Sequence, residues 1–317
     1  MYWLGIDLGG TNIATGVVDE NYKIIGRGKA KTDRSLPAEL MADDMVKAVN
    51  MAIDDAGINR EEIVAMGIGS PGAIDPTTGT VIRAANLNFK NTPLCKILKD
   101  KTGFDFYIEN DANAAAYGEL LAGAGKGKKE FIAVTLGTGV GGGIIIDGKI
   151  FSGHNHFGAE LGHMVIMHGG EKCGCGRKGC WEAYASASAL IRQTRKAMEN
   201  NKDSIMWEIA GSLDNVNGLT SFDGMRKGDR AAIEVVNKYI EYIAVGIIDI
   251  INVFQPEVIC IGGGISKEGD TLLNPIKNYL DDGGYVTGIA NHTEIKIAEL
   301  GNDAGIIGAA FLCNLYK

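Results

Sequence analysis

Short apolar runs and segments with helical periodicity alternate along the chain. A run of consecutive apolar residues predicts a buried strand, and apolar residues three or four positions apart predict an amphipathic helix. The predicted strands begin at Tyr2, Ile13, Lys23, Val64, Phe106, Phe131, Ile144, Val258 and Ile295. The predicted helices cover 36–56, 112–121, 183–199, 229–253 and 304–315. Together these elements predict an α/β fold.

The opening pattern of strand, Gly-rich turn and strand occurs twice. It covers residues 2–19 and recurs in residues 131–147, roughly 130 positions later. In both copies the turn presents consecutive backbone N–H groups, which can form a concavity that binds an anion. The repetition predicts two duplicated lobes that hold one phosphate chain from opposite sides.

The size and charge of the chain limit the class of protein to which it can belong. At 317 residues it exceeds the usual length of one domain, so two domains are expected. The net charge of −8 argues against a nucleic-acid or membrane-surface partner. The longest apolar run, 243–254, is too short to span a bilayer. An anionic ligand would therefore have to be held by backbone N–H groups and a metal ion.

Two features of the sequence predict a cytoplasmic protein. Cys95, Cys260 and Cys313 lie singly in or beside apolar runs, as buried free thiols do. The chain enters a strand pattern directly after Met1, without the basic segment and cleavage site of a secretion signal. Free thiols are maintained in a reducing compartment, which is why the cytoplasm is expected.

The segment 158–182 concentrates candidate metal ligands. Three cysteines, Cys173, Cys175 and Cys180, follow His163 at short spacing. Three thiolates and one imidazole form a closed, four-coordinate zinc site, although His168 could replace His163 as the fourth ligand. Glu160 and Glu182 flank this set. A metal here would fix two carboxylates and an imidazole, which predicts a wall that binds a polyol.

The first glycine turn carries a carboxylate on its preceding strand. The string D-x-G-G-T-N runs from Asp7 to Asn12. A carboxylate can position Mg²⁺ while the turn holds phosphate oxygens. This string resembles the first phosphate loop of the actin-like ATPase superfamily.

Polar or glycine residues also follow other predicted strands, where ligands of α/β proteins tend to lie. Gly72 follows one such strand end, and Asn110 and Asp111 follow another. An Asn-Asp pair is also a common helix N-cap. Gly262, Gly263 and Gly264 follow the strand at 258–261 and leave open space where a flat ring could lie, although a close-packed turn would look the same.

The motifs E-x-G-H and C-x-C-G-x-x-G-C-x-E in 160–182 resemble the sugar-kinase branch of the ROK family (repressors, open reading frames and kinases). The resemblance covers nearly the whole chain and is weakest at 200–228. It implies an actin-like, hexokinase-type α/β fold, related to ribonuclease H, with mixed sheets and two lobes that enclose a cleft. The implied lobes are residues 1–122 plus 304–317, and residues 123–303, which include the zinc loop.

The resemblance further implies ATP-dependent phosphorylation of glucose at its 6-hydroxyl, with Asp111 as the catalytic base and Mg²⁺ on the phosphates. Sugar contacts are implied for Gly72, Asn110, Asp111, Glu160, His163 and Glu182. Nucleotide and phosphate contacts are implied for Asp7, Gly9, Gly10, Thr11, Asn12, Gly137, Thr138, Gly139, Gly141, Gly262, Gly263 and Gly264. Structural zinc is implied at His163, Cys173, Cys175 and Cys180. A homodimer or larger homo-oligomer is implied as well.

Two alternatives stay open at this point. The first is a kinase for another sugar, either fructose or an N-acetylated hexosamine such as N-acetylglucosamine or N-acetylmannosamine. The second is a sugar sensor without enzymatic activity, because the family includes transcriptional repressors. Polyphosphate or ADP could also replace ATP as the phosphoryl donor.

Overall fold

A computed structural model of the chain describes residues 1–84, 86–283 and 293–316. The strands are β1 (Tyr2–Leu8), β2 (Asn12–Val18), β3 (Ile24–Lys31), β4 (Ile63–Ser70), β5 (Ala73–Asp75), β6 (Thr80–Ala84), β7 (Phe89–Thr92), β8 (Phe106–Asn110), β9 (Phe131–Leu136), β10 (Val140–Ile146), β11 (Lys149–Phe151), β12 (Val258–Gly262) and β13 (Glu294–Ile297). The helices are α1 (Ala38–Ala56), α2 (Leu94–Thr102), α3 (Asp111–Ala122), α4 (Glu182–Ala185), α5 (Ala187–Asn200), α6 (Met206–Ala210), α7 (Thr220–Arg226), α8 (Arg230–Phe254), α9 (Asp270–Gly283) and α10 (Ala304–Ala310).

The strands form mixed sheets. One five-stranded sheet has the order β3-β2-β1-β4-β8, and another has the order β11-β10-β9-β12-β13. In the first sheet β1 is antiparallel to β2 and parallel to β4, and β4 is parallel to β8. A smaller sheet has the order β5-β6-β7.

Two helices have bounds that differ from the prediction, one near Ser186 and one after the glycine triplet. The single helix predicted for 183–199 is divided into α4 and α5, because Ser186 adopts an extended backbone and its hydroxyl caps α5 at the Ala189 N–H. After the glycine triplet the chain first forms a 3₁₀ turn, Gly264–Glu268, and α9 begins only at Asp270.

Three further segments add to or differ from the sequence-based prediction. The segment 73–92 contains the small sheet, which was not predicted because its strands are too short to show a clear alternation. The last helix ends at Ala310, before the predicted residue 315, and is followed by a 3₁₀ turn at Leu312–Asn314. The segment 200–228, which the sequence left almost unassigned, contains α6 and α7.

Contacts divide the chain into two compact units. The first unit comprises Met1–Ala133, Gly142–Ala159 and Ala298–Lys317, and the second comprises Val134–Gly141 and Glu160–Ile297. The lobes expected from the resemblance, 1–122 plus 304–317 and 123–303, have different boundaries and stay a prediction.

In the first unit, a row of three glycines lets α10 lie directly on the sheet. Gly5 pairs with Gly16 on one neighbouring strand and with Gly67 on the other. A Cβ at Gly5 or Gly67 would lie 1.9 Å from a backbone carbonyl oxygen of α10, that of Ile306 or Ala309. The strands therefore need residues without side chains here, since any Cβ would push α10 away.

Helix α10 also packs closely against α3. A Cβ at Gly308 would lie 1.7 Å from the Ala114 carbonyl oxygen, and one at Gly118 would lie 2.1 Å from the Ala304 carbonyl oxygen. These contacts bring the two helix backbones together on the same face of the sheet.

Helix α1 is bonded to β2 of the same sheet. The carbonyl oxygen of Ala48 on α1 accepts a hydrogen bond from the buried Thr15 hydroxyl on β2 at 2.8 Å.

In the second unit, the long helix α8 anchors the chain that follows the cysteine-rich segment. Trp181 is fully buried, and its indole N–H donates to the Tyr242 carbonyl oxygen at 2.7 Å. Its ring fills the space next to Gly246, where a Cβ would lie 2.1 Å from the ring. Trp181 is therefore held at both its polar edge and its apolar face.

Within the described part of the chain, none of the helices combines the length and the apolar character that crossing a bilayer would require.

We predict that Gly67→Ala destabilises the protein by about 2 kcal/mol or more, because the added methyl group overlaps a backbone atom that cannot move alone. The measurement is urea unfolding followed by circular dichroism. Gly137→Ala is the control, since a Cβ at that position meets nothing within 4 Å. Equal stability of the two variants would contradict the tight packing of α10.

Candidate functional site

The first unit places two aspartates at one edge of its sheet. The strands β1, β4 and β8 are parallel, so their carboxyl ends share this edge. Asp7 lies at the end of β1, and Asp111 begins α3 directly after β8. Both side chains are half-buried, and the Asp111 carboxylate acts electrostatically on Asp7.

Burial raises the pKa of both aspartates, and a like charge adds to the effect at Asp7. Desolvation, and then the nearby Asp111 carboxylate, raise the pKa of Asp7 from 3.8 to about 6. Desolvation also raises the pKa of Asp111, against an opposing hydrogen bond from the Ala112 N–H. Each carboxylate therefore holds a proton more strongly than an exposed aspartate does.

Asn110 connects the strand end to the turn at Gly72. Its side-chain oxygen accepts from the Ala112 and Asn113 N–H groups and so caps α3. Its amide nitrogen donates to the Gly72 carbonyl oxygen at 3.1 Å. Gly72 has a φ of +99°, and a Cβ there would lie 2.3 Å from the Arg83 carbonyl oxygen. The helix cap and the bond to Gly72 use different atoms of the Asn110 side chain.

Glu109 supports this arrangement and was not singled out in the sequence. Its buried carboxylate accepts from the Asn110 N–H at 2.7 Å and from the Asn113 side-chain amide at 3.0 Å, and it also accepts from the Tyr316 hydroxyl. The indication in the sequence was a charged residue inside an otherwise apolar strand run, since a buried carboxylate needs polar partners.

The first glycine turn is closed by a bond within it and is held by Thr32, the residue after β3. The Gly9 N–H donates to the Asn12 carbonyl oxygen at 2.9 Å, and the Gly9 carbonyl accepts from the Thr32 hydroxyl at 2.7 Å. The side chains of Thr11 and Asn12 are exposed. Arg34, which the sequence analysis missed, donates to the Gly10 carbonyl oxygen. Its exposed guanidinium thus places a cation beside the turn.

The second unit contains the other glycine turn and the glycine triplet next to each other. The Gly137 N–H donates to the Gly139 carbonyl oxygen at 3.0 Å, which closes the turn that also contains Thr138 and precedes Gly141. Gly263 has a φ of +87°, and a Cβ there would lie 2.4 Å from the Leu136 carbonyl oxygen. Gly262 is half-buried, and Gly263 and Gly264 are exposed.

The cysteine-rich segment forms a compact group of candidate metal ligands. One ligand atom from each of His163, Cys173, Cys175 and Cys180 lies within 4.8 Å of the others. The Cys175 and Cys180 sulfurs are 3.7 Å apart, and the Cys173 sulfur is 3.7 Å from His163 Nδ1. Zinc–ligand bonds of about 2.0–2.3 Å give tetrahedral edges of roughly this length. The four residues therefore fit a zinc ion.

The imidazole of this group is His163, since the four-residue set does not include the exposed His168. Nδ1 of His163 faces the sulfur of Cys173, while Nε2 lies 4.0 Å from the exposed Glu160 carboxylate. A hydrogen bond from the Arg177 backbone N–H lowers the pKa of Cys175, which favours the thiolate form that binds metal.

Glu182 contacts both features of the second unit. One carboxylate oxygen lies 3.5 Å from the Cys173 sulfur, and the other accepts from the Val140 N–H at 3.1 Å.

The predicted site residues fall into two groups, one in each unit. The first unit holds Asp7, Gly9, Gly10, Thr11, Asn12, Gly72, Asn110 and Asp111. The second holds Gly137, Thr138, Gly139, Gly141, Glu160, His163, Cys173, Cys175, Cys180, Glu182, Gly262, Gly263 and Gly264.

Comparisons with known proteins give a consistent result. The model of the ROK family matches residues 3–315. A glucokinase of Thermotoga maritima is 37% identical over 309 residues, which are 97% of this chain and 95% of that protein. A glucokinase of Streptomyces coelicolor is 37% identical over 316 residues, 98% of this chain and 96% of that protein. The crystal structure of a ROK family glucokinase from Streptomyces griseus in complex with glucose and AMPPNP has a TM-score of 0.80 and 36% identity, and covers 98% of this chain and 99% of that chain.

We predict that Asp7→Asn stabilises the protein at neutral pH in the absence of added Mg²⁺. The folded-state pKa of Asp7, about 6, exceeds the ordinary 3.8. Between these values the folded state retains a proton that the unfolded state has lost, so stability falls as pH rises and the full penalty is present above pH 6. One pKa unit corresponds to 1.36 kcal/mol, so the gain reaches about 2–3 kcal/mol.

Thermal unfolding of both proteins at a series of pH values measures this gain, which should shrink as pH falls from 6 towards 4. The control is Asp281→Asn, a change of an exposed aspartate. A gain that is independent of pH would contradict the proposed electrostatic origin.

Proposed function

Because this chain belongs to the ROK family, we propose that it is a glucokinase that transfers the γ-phosphoryl group of ATP to the 6-hydroxyl of glucose. The family match confirms the resemblance found in the sequence motifs, and with it the actin-like, hexokinase-type fold class. The observation that carries the proposal is the similarity to glucokinases at 37% identity over 97–98% of this chain. The aspartate pair at the sheet edge supports it chemically.

In this proposal Asp111 accepts the proton of the attacking hydroxyl. Phosphoryl transfer proceeds through a loose transition state, so the base mainly orients the oxygen. The raised pKa of Asp111 makes it a better proton acceptor than an exposed aspartate. Asn110 and the turn at Gly72, which hydrogen-bond each other, would contact the sugar beside it.

Asp7 fits the role of a Mg²⁺ ligand. Its carboxylate is poorly solvated and has a second carboxylate nearby, so ionising it is costly unless a cation is present. A divalent cation removes that cost, and carboxylates are preferred Mg²⁺ ligands. When bound, Mg²⁺ would neutralise charge on the transferred phosphate. The turns 9–12 and 137–141 would hold phosphate oxygens through backbone N–H groups, and 262–264 would contact the nucleoside.

We propose that zinc binds His163, Cys173, Cys175 and Cys180 and has a structural role. Its ligand atoms are closely grouped, as a closed site requires. With Nδ1 on the metal, Nε2 of His163 would remain available as a hydrogen-bond partner for the sugar. Glu160 and Glu182 would accept sugar hydroxyls on either side. In the absence of the metal, these three groups would lose their relative placement.

We also infer that the protein acts in the cytoplasm, where its thiols would stay reduced, and forms a homodimer or larger homo-oligomer. Cys95 is a free thiol, which supports a reducing compartment. Light scattering of the purified protein measures the oligomeric state.

The experiment that tests the proposed function is an assay of sugar-phosphate formation across a panel of sugars, because ADP release would report only on ATP as the donor. The panel contains glucose, fructose, N-acetylglucosamine and N-acetylmannosamine, with ATP, ADP or polyphosphate as donor. We expect the highest kcat/KM for glucose with ATP. A preference for an N-acetylated hexosamine would contradict the assignment of glucose as the substrate. Absence of turnover with every sugar would contradict the proposal that the protein is a kinase.

We predict that Asp111→Asn lowers kcat by about 10²–10⁴-fold, because an amide cannot accept the proton. The KM for glucose should change much less, since the side chain keeps its shape. The control is Asp203→Asn, which changes an exposed residue of the other unit. More than about a tenth of the original kcat in the Asn variant would contradict the assignment of the base.

We predict that Cys175→Ser reduces bound zinc and raises the glucose KM by about tenfold or more, the typical effect of disturbing such a site. Elemental analysis of the purified protein measures the metal content, and the sugar-phosphorylation assay measures the KM for glucose. Cys95→Ser, which changes a thiol outside the group of four, should leave both unchanged. Loss of zinc with an unchanged glucose KM would contradict the proposed link between the metal and the sugar site.

A further inference from the structure

Glu182 is the residue of the second unit that touches both the metal-ligand group and the second glycine turn. Its two carboxylate oxygens have different partners: the Cys173 thiol donates to one at 3.5 Å, and the Val140 N–H donates to the other at 3.1 Å. A metal-bound thiolate cannot donate, so in the metal-loaded protein Glu182 would be tied to the group through Cys180, which lies two residues before it. The sequence motif suggested a sugar contact for this side chain. It gave no indication of the bond to Val140, which lies 42 residues earlier.

The segment after Glu182 makes a second attachment to the same turn. The Ala187 N–H donates to the Gly137 carbonyl oxygen at 2.8 Å. Between these two points the Ser186 N–H donates to the Glu182 carbonyl oxygen, which keeps the short helix α4 compact. Trp181, immediately before Glu182, is fixed against α8. The turn is thus fastened to a segment that is itself anchored.

The carboxylate and the turn also fit together sterically. A Cβ at Gly139 would lie 2.2 Å from Oε2 of Glu182, which is far inside van der Waals contact. The same oxygen accepts the Val140 N–H. The position of the carboxylate therefore depends on the shape of the turn, and the shape of the turn depends on the carboxylate.

We propose that Glu182 is a positioning residue that couples the metal-ligand group to the nucleotide-binding turn, so that nucleotide affinity depends on the bound metal. This inference rests on the proposed function, in which residues 137–141 hold phosphate. A displaced carboxylate would leave the Val140 N–H without its charged acceptor and the turn without its support. Coupling between two binding sites is reciprocal, so nucleotide should also slow the release of the metal.

The first test measures binding of a non-hydrolysable ATP analogue, in the presence of Mg²⁺ and without sugar, by calorimetry. We expect Glu182→Ala to weaken binding by about fivefold or more, because it removes a hydrogen bond to a charged acceptor. Glu182→Gln retains an oxygen that can accept from Val140, so it should weaken analogue binding by no more than about twofold while glucose affinity falls. Glu160→Ala is the matched control, since it removes a predicted sugar contact from the same loop without touching the turn, and its analogue affinity should be unchanged.

The second test follows zinc release to a chromophoric chelator, which requires no turnover. The ATP analogue should slow release from the unmodified protein and have no effect on release from Glu182→Ala. The third test is Gly139→Ala, whose methyl group meets the carboxylate. It should weaken both analogue and glucose binding, and its effect should not add to that of Glu182→Ala.

Unchanged analogue affinity in Glu182→Ala, whether or not that variant retains zinc, would overturn the inference. Equal slowing of zinc release in both proteins, or additive effects of Gly139→Ala and Glu182→Ala, would also overturn it. In all three cases a fully active unmodified protein would leave the kinase intact. Failure of the unmodified protein to bind the analogue would overturn the inference, whereas turnover in the sugar panel decides the proposed function separately.

Discussion

The first unit depends on the close approach of α10 to its sheet. The glycines at positions 5, 16 and 67 lie side by side on three strands and leave no side chain between strand and helix. This contact also shapes the candidate active site, because a Cβ at Gly305 would lie 3.3 Å from the Asp7 carboxylate. Helix α10 thereby helps to remove Asp7 from water, and desolvation is the main reason that its pKa rises to about 6. The close packing of α10 therefore explains the need for glycines in the sheet and contributes to the raised pKa of Asp7.

The charge of the protein and the charge of its proposed ligand explain the chemistry of both turns. A chain with a net charge of −8 repels a nucleotide at long range, so attraction has to be local. Backbone N–H groups of the turns would supply it without long flexible side chains, and Arg34 beside the first turn would add one cation. Two carboxylates at the sheet edge would be unfavourable alone. Their presence is consistent with a site that works with a divalent cation, which favours their ionised forms.

In the second unit, the metal-ligand group would stabilise the loop that carries two of the predicted sugar contacts. Its four ligands come from residues 163–180, and the chain on either side carries Glu160 and Glu182. A metal in this group would add a cross-link to a segment that forms no helix or strand between Leu161–His163 and α4. Through the bond between Glu182 and Val140 this support would extend to the glycine turn. Trp181 connects it to the longest helix, α8.

The sequence by itself determined the strands and helices with clear periodicity, the duplicated glycine turns and the cysteine group, because these depend on neighbours along the chain. It also indicated the aspartates, since a carboxylate at the end of an apolar strand run is conspicuous. It did not determine the small sheet at 73–92, the break at Ser186, the support of Asn110 by Glu109, or the bond from Val140 to Glu182. These depend on partners brought together by folding. Only the tertiary structure decided how buried each carboxylate is and which hydrogen bonds it accepts, because desolvation and hydrogen bonding are properties of the surroundings and not of the residue.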